Sequence, residues 1–199
     1  MGYSNFRTLK KVSETFGTDA ILDTLFVQIE SVEPSPWLKQ TLEIAITMPL
    51  SNEKTKSERL VSPILMEVVQ SYRESITLFS GEPLDVAPEQ DLAGACDFLI
   101  VLAPKKPYVQ APIIALAEAK DEDMDHGIAQ CAAQLFGTKL FNEKEGKFFP
   151  FLYGCATAGT DWQFLRFENN TFYVDSKIYT NISEILGVWH HIIKSYLQD

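Results

Sequence analysis

Residues 112–120 read PIIALAEAK, an apolar run that ends in a carboxylate and an amine two positions apart. A short continuous run of this kind predicts a buried β-strand. Because side chains alternate along a strand, Glu118 and Lys120 share one face and Ala119 takes the other. Burying a carboxylate and an ammonium group is costly unless each has a partner. A metal ion, a phosphate or a plain salt bridge would each supply such a partner.

A second apolar run, residues 98–103, follows Asp97 and predicts the neighbouring strand. If the two strands pair antiparallel with Asp97 opposite Glu118, the centre of the hairpin falls in the Pro-rich turn at residues 103–112. That is where a hairpin tip belongs, so we expect both acids at the same sheet edge.

Two carboxylates at this separation suit a hard divalent cation such as Mg²⁺, which prefers oxygen ligands and keeps several waters. Lys120 could polarise a water molecule there, or neutralise charge that develops on a phosphate. The sequence therefore predicts a metal site at this edge, with Asp97, Glu118 and Lys120 as its first members.

Two helices are expected to flank this edge. Residues 124–142 predict a helix on which Gly127, Gln130 and Gln134 share one stripe. Gln130 could therefore face the strand ends, and we interpret Gln134 as a surface or packing residue. Residues 53–73 show helical apolar spacing, and Glu58 is the acid on that helix that lies nearer its apolar face.

The remaining patterns complete a mixed α/β (α+β) fold with a central sheet flanked by helices. A helix is predicted over 4–16, and strands over 23–31 and 40–48, over 76–86 and over 151–158. A hairpin is predicted over 162–167 and 171–175, turned at Asn169-Asn170, and a last helix over 182–197.

Composition limits the class of protein. At 199 residues, with 46% hydrophobic and 22% charged residues, the chain predicts one ordinary globular domain. It contains no apolar run of the roughly 18 residues that a membrane span needs. Three scattered cysteines lack metal-ligand spacing and predict reduced thiols, so we expect a cytoplasmic protein.

The net charge of −10 argues against unaided binding of nucleic acid, which usually requires a basic patch. The basic residues are dispersed. Their nearest groupings, such as Lys54, Lys56 and Arg59, are interleaved with glutamates and indicate solvated helix faces.

At Glu58, Asp97, Glu118-Ala119-Lys120 and Gln130 the chain resembles the PD-(D/E)XK nuclease superfamily. Gly159-Thr160-Asp161-Trp162 and Ile185-Leu186-Gly187 are similar to segments of its uncharacterised bacterial, particularly cyanobacterial, members. The resemblance covers about residues 53–165, within a single domain of residues 1–199. It leaves an N-terminal helix/strand extension and a C-terminal hairpin plus helix. One departure is that Cys96 stands where the family often has proline before the acid.

The resemblance implies a restriction-endonuclease-like fold, with the elements in the order helix, three strands, helix and strand. It also implies that Asp97, Glu118 and the Ala119 carbonyl hold Mg²⁺ (or Mn²⁺). Lys120 would assist attack by water on a phosphodiester, and Glu58 and Gln130 would support the site.

Two functions follow as hypotheses. The first is a Mg²⁺-dependent nuclease, with DNA favoured as its substrate. The second is a non-catalytic nuclease-fold module that binds or regulates within a larger complex, and the acidic net charge favours it. The complete acid and lysine set favours the first. A homodimer could assemble a positive cleft that one chain lacks.

Overall fold

The computed structural model describes residues 2–120 and 123–197. Seven strands, numbered in chain order, are β1 (Asp19–Asp23), β2 (Thr77–Pro83), β3 (Ala95–Val101), β4 (Ile113–Ala119), β5 (Phe151–Thr157), β6 (Trp162–Glu168) and β7 (Thr171–Asp175). They form one sheet in the order β1-β7-β6-β5-β4-β3-β2. The pairs β1–β7 and β4–β5 are parallel and the other pairs are antiparallel, which confirms the expected mixed sheet.

Helices cover both faces of this sheet. They are α1 (Leu9–Phe16), α2 (Pro36–Ala45), α3 (Glu53–Lys56), α4 (Ser62–Tyr72), α5 (Met124–Lys144) and α6 (Ile182–Leu197). Helices α2, α4 and α6 contribute to the apolar core on one face, and α1 and α5 to the core on the other. No helix within the described residues has the length and hydropathy needed to cross a membrane.

The β3–β4 hairpin has the register predicted from the sequence. Phe98 pairs with Ala117 and Leu99 with Leu116, and the same register places Asp97 opposite Glu118. The single irregularity in this ladder lies between Ile100 and Val101, towards the hairpin tip, so it does not disturb the edge that carries the two acids.

The helix predicted over residues 53–73 is present, but its winding changes along its length. Helix α3 continues into a π-helical turn, Ser57–Val61, and then into α4. Pro63 lies in the first turn of α4, one residue beyond the π-helical turn. Proline has no N–H to donate to the preceding turn, so it is tolerated at this position. From here the chain runs through β2, β3, β4, α5 and β5, the element order that the resemblance implies.

The strands predicted over residues 23–31 and 40–48 were wrong. The first strand is β1, which ends at Asp23. Residues 36–45 are helical because the Ser35 hydroxyl caps the Leu38 N–H and proline occupies the first turn. The alternation of apolar residues after Gln40 was misleading, since Ile44 and Ile46 lie on the surface.

The hairpin β6–β7 and helix α6 were predicted correctly. Asn169 and Asn170 turn the hairpin with φ of 48° and 62°, the left-handed conformation that asparagine tolerates.

Candidate active site

Asp97, Glu118 and Lys120 meet where β3 begins and β4 ends. Lys120 follows the last residue of β4, and its N–H donates to the Thr157 carbonyl at 2.7 Å, which continues the pairing with β5. Helix α5 begins just beyond, with the Asp123 side chain accepting from the His126 N–H. Three strand ends and one helix start therefore surround this edge of the sheet.

Glu118 is almost completely buried, at 1% exposure, and faces helix α5. Its Oε1 accepts from Lys120 Nζ at 2.7 Å, and its Oε2 accepts from Gln134 Nε2 at 2.8 Å. Burial and the neighbouring Asp97 carboxylate raise the pKa of Glu118 to about 7, although Lys120 and Gln134 oppose the change.

Asp97 is held by the backbone of the opposite strand. Its Oδ2 accepts from the Ala119 N–H at 2.7 Å. Burial raises the pKa of Asp97, while the Ala119 hydrogen bond and the Lys120 ammonium group lower it. Asp97 therefore makes ionisation of Glu118 less favourable, and Glu53 makes ionisation of Asp97 less favourable.

Lys120 supplies the positive charge at this edge. Its side chain is 13% exposed, and its Nζ lies 3.7 Å from Glu53 Oε2 in addition to its contact with Glu118. Burial lowers the pKa of Lys120, but Glu118, Glu53 and Asp97 together raise it above the ordinary value. Lys120 is therefore a stable ammonium group at neutral pH.

Gly127 allows α5 to lie directly against Lys120. A β-carbon at Gly127 would stand 3.1 Å from Lys120 Cγ and 3.2 Å from the Ala156 β-carbon. The lysine stem is thus confined between the helix and the end of β4.

Both glutamines of α5 are buried, and the one that contacts Glu118 is not the one predicted. Gln130 is buried, as expected of a residue facing the strand ends, and its Oε1 has no hydrogen-bond partner among the described residues. The hydrogen bond to Glu118 comes instead from Gln134, one turn further along, which is completely buried, as the packing alternative predicted and the surface alternative did not.

Among the described residues, the structure shows no contact between Glu58 and Asp97, Glu118 or Lys120, so its supporting role stays a prediction. Its side chain is 62% exposed and its Oε1 lies 3.8 Å from Lys54 Nζ on the same helix. The prediction assumed α-helical geometry throughout, whereas Glu58 lies within the π-helical turn, where the angular positions of side chains differ. The acid that approaches Lys120 is Glu53, at the first position of α3.

Glu53 and Gln134 are thus the residues that the sequence argument missed. A signal existed for each. Asn52 and Thr55 form a capping box that fixes the start of the helix at Glu53, and Gln134 lies on the same stripe as Gln130. Neither signal by itself indicates a contact with Lys120 or Glu118.

The donor set fits a hard divalent cation. Asp97 is a partly buried carboxylate and Glu118 a buried one, and the pKa of each is raised, so added positive charge would favour their ionised forms. Within residues 2–120 and 123–197, no three His, Cys, Asp or Glu side chains are grouped to hold a metal ion. Mg²⁺ needs no such group, because it commonly uses one or two carboxylates with water and substrate oxygens.

The cysteine beside Asp97 does not act as a nucleophile. Cys96 is fully buried and unbridged, and burial raises the pKa of its thiol far above the neutral range. It packs in the core on the α5 face of the sheet.

Comparison with known proteins adds no relative: no protein-family model matches the chain, and no curated protein is significantly similar to it. The resemblance to PD-(D/E)XK nucleases therefore stays a prediction that rests on these residues and their arrangement.

Proposed function

We propose that this protein is a Mg²⁺-dependent hydrolase of phosphodiester bonds, of the PD-(D/E)XK nuclease type. The observation that carries the proposal is the register of the β3–β4 hairpin. It brings the partly buried carboxylate of Asp97 and the buried carboxylate of Glu118 to one edge of the sheet, with the ammonium group of Lys120 in direct contact with Glu118.

Asp97, Glu118 and the Ala119 carbonyl would hold Mg²⁺ or Mn²⁺. When bound, the ion would polarise the phosphate and favour formation of hydroxide from a bound water. Lys120 remains protonated at neutral pH because its pKa is raised. We therefore assign to it a hydrogen bond to the attacking water or to a phosphate oxygen, rather than removal of a proton.

DNA is the favoured substrate, although the net charge of −10 would repel its backbone. Divalent cations would offset part of this repulsion, and a homodimer would offset more if it joined the dispersed basic residues into one cleft. We propose that the protein acts in the cytoplasm, where Mg²⁺ is supplied.

The test is cleavage of single- and double-stranded DNA, and of RNA, with Mg²⁺ or Mn²⁺ and with chelator as a blank. Asp97→Ala or Lys120→Ala should abolish metal-dependent cleavage while circular dichroism shows an intact fold. Equal cleavage by wild type and both variants would identify a contaminating enzyme and overturn the assignment.

A non-catalytic binding module is the second candidate, and the acidic net charge favours it. So does the internal pairing of Glu118, both of whose oxygens already accept hydrogen bonds from the protein. Calorimetric titration with Mn²⁺ separates the two candidates, because a module without a metal site would bind no Mn²⁺ at millimolar concentration.

A further inference from the structure

Glu118 is held by two partners of different kinds. Lys120 Nζ is charged and also approaches Glu53, whose side chain is 46% exposed. Gln134 is neutral, completely buried, and projects from the interior of the 21-residue helix α5. One partner can move towards solvent, and the other is fixed by packing.

The charged partner and a divalent cation cannot both occupy Glu118 Oε1 without repelling each other. Binding of a cation at the acid pair would therefore displace Lys120 Nζ from its 2.7 Å contact. Glu53, at 3.7 Å, and the phosphate of a substrate are the alternatives available to that ammonium group. After the displacement, Gln134 would be the remaining side-chain donor to Glu118 among the contacts described above.

We propose that Gln134 is a positioning residue, which keeps the Glu118 carboxylate in place when Lys120 is released from it. This inference rests on the proposed metal site. Gln134 does not contact the ion or the substrate. It acts through Glu118, by holding Oε2 so that Oε1 stays directed towards the acid pair.

The chemistry of the amide suits this task. A glutamine donates a hydrogen bond without adding charge, so it neither competes with the cation nor neutralises the ligand. A lysine or arginine at the same position would do both. Carboxylate ligands are commonly oriented by such outer hydrogen bonds, whose loss typically costs roughly 10- to 100-fold in metal affinity or activity.

Packing alone does not account for a glutamine here. Gln134 is fully buried, as are its sequence neighbours Ala133 and Leu135. Its Oε1 has no hydrogen-bond partner within the described part of the chain. An unpaired buried acceptor costs free energy that an apolar side chain would avoid. The hydrogen bond to Glu118 is the contact that offsets this cost, and an apolar side chain could not make it.

The experiment compares Gln134→Met with Thr138→Val in the full chain. Methionine preserves the length and burial of Gln134 but removes the donor. Thr138 lies one turn along the same helix, is equally buried, and has a hydroxyl without a partner among the described residues. Calorimetric titration with Mn²⁺ should show affinity about 10-fold or more weaker for Gln134→Met, and unchanged affinity for Thr138→Val. If the wild type binds Mn²⁺ and Gln134→Met binds it equally well, the positioning role is overturned.

A crystal structure of the double variant Lys120→Met, Gln134→Met without metal, compared with Lys120→Met alone, gives a second readout that is independent of metal binding, because without Lys120 the side-chain hydrogen bond to Glu118 described above is that of Gln134. We expect the Glu118 side chain to adopt another rotamer or to become disordered while the surrounding backbone is unchanged. Failure of the wild type to bind millimolar Mn²⁺ would overturn the proposed metal site. In that case only the Glu118 rotamer in the crystal structure tests the role of Gln134. A Glu118 side chain that stays in place would overturn the positioning role.

Discussion

Helix α5 makes a polar contact with strand β4 near each end of that strand, and the two contacts are of opposite kinds. Near the start of β4, Asn142 Nδ2 donates to the Ile113 carbonyl at 2.7 Å, and the Ile113 N–H donates to Asn142 Oδ1 at 2.9 Å. Near its end, Gln134 donates to Glu118 at 2.8 Å, and one amide oxygen stays unpaired among the described residues.

The difference distinguishes a structural contact from the one at the proposed metal site. At Asn142 both amide atoms and both backbone groups are satisfied and no charge is buried, so the contact contributes only to stability. At Glu118 a carboxylate is buried beside a second carboxylate, and its pKa is raised to about 7. A cost of this kind, present at one end of the strand and absent at the other, is typical of a functional site and supports the proposed metal site.

The largest effect on stability is expected at the satisfied end. Asn142→Leu leaves the Ile113 N–H and carbonyl buried without these partners, and each unpaired group costs about 1–3 kcal/mol. We therefore expect the free energy of unfolding in urea to fall by about 3 kcal/mol. Mn²⁺ binding, measured well below the unfolding transition, should be unchanged. A loss below about 1 kcal/mol would show that water replaces the asparagine at this end.

The next effect is a dependence of stability on pH that comes from the charged end. The pKa of Glu118 is higher in the folded protein than in the unfolded chain, so the folded state binds this proton more tightly. Its contribution is present at pH values below about 4.5 and is lost as the pH rises through about 7, a change on the order of 3 kcal/mol. The raised pKa of Asp97 acts in the same direction.

Unfolding in urea between pH 4.5 and pH 8, without metal, measures this contribution. In Glu118→Gln, the free energy of unfolding should decrease with rising pH much less than it does in wild type. In Asn142→Leu, the free energy of unfolding should be lower at every pH, with the same dependence on pH as in wild type. Because metal ligands must be deprotonated, Mn²⁺ affinity should rise over the same interval. Parallel curves for wild type and Glu118→Gln would mean that Glu118 ionises normally in the folded protein.

The sequence predicted the β3–β4 hairpin and its register because two constraints coincided. The hairpin tip had to fall in the Pro-rich turn, and the two apolar runs had to pair along their length. This register alone determines that Asp97 and Glu118 are opposite, so the centre of the site was predictable. Reasoning from pattern failed for α2. The alternation of apolar residues predicted a strand there, and the capping signal at Ser35 and Pro36, which indicates a helix, was overlooked.

The outer residues of the site were not predictable because they depend on details that a helical repeat does not contain. A π-helical turn changes which acid of the 53–72 helix approaches Lys120, so Glu53 takes the place expected of Glu58. On α5, Gln130 and Gln134 share one stripe, and only the position of the helix along β4 decides which of them reaches Glu118.

A smaller effect, on activity more than on stability, is expected from Gly127→Ala. Alanine is about 1 kcal/mol better than glycine within a helix. However, the new methyl group would lie 3.1 Å from Lys120 Cγ, so the lysine must shift by a few tenths of an ångström. We expect the free energy of unfolding in urea to change by less than about 1 kcal/mol. Metal-dependent cleavage should fall about tenfold, because the Lys120 ammonium group would be misplaced.

Gly137→Ala is the matched change away from the site. Its β-carbon would stand 2.5 Å from the Tyr3 hydroxyl, which donates to the Leu84 carbonyl. This variant should therefore lose stability and keep the activity of its folded fraction. The reverse pattern, a less stable Gly127→Ala with full activity, would show that Lys120 adjusts freely beside the helix.

The smallest effects distinguish the two acids at the start of the 53–72 helix. Glu58→Gln breaks an exposed pair with Lys54 and should change the free energy of unfolding by less than about 0.5 kcal/mol, with no change in Mn²⁺ affinity.

Glu53→Gln removes a carboxylate that contacts Lys120 and opposes ionisation of Asp97. If Glu53 receives the displaced ammonium group, its loss should weaken Mn²⁺ binding by about 2- to 5-fold, because an exposed pair is worth up to about 1 kcal/mol. Tighter binding by Glu53→Gln would instead show that Lys120 moves to another partner, and that the contact with Glu53 matters only in the metal-free protein.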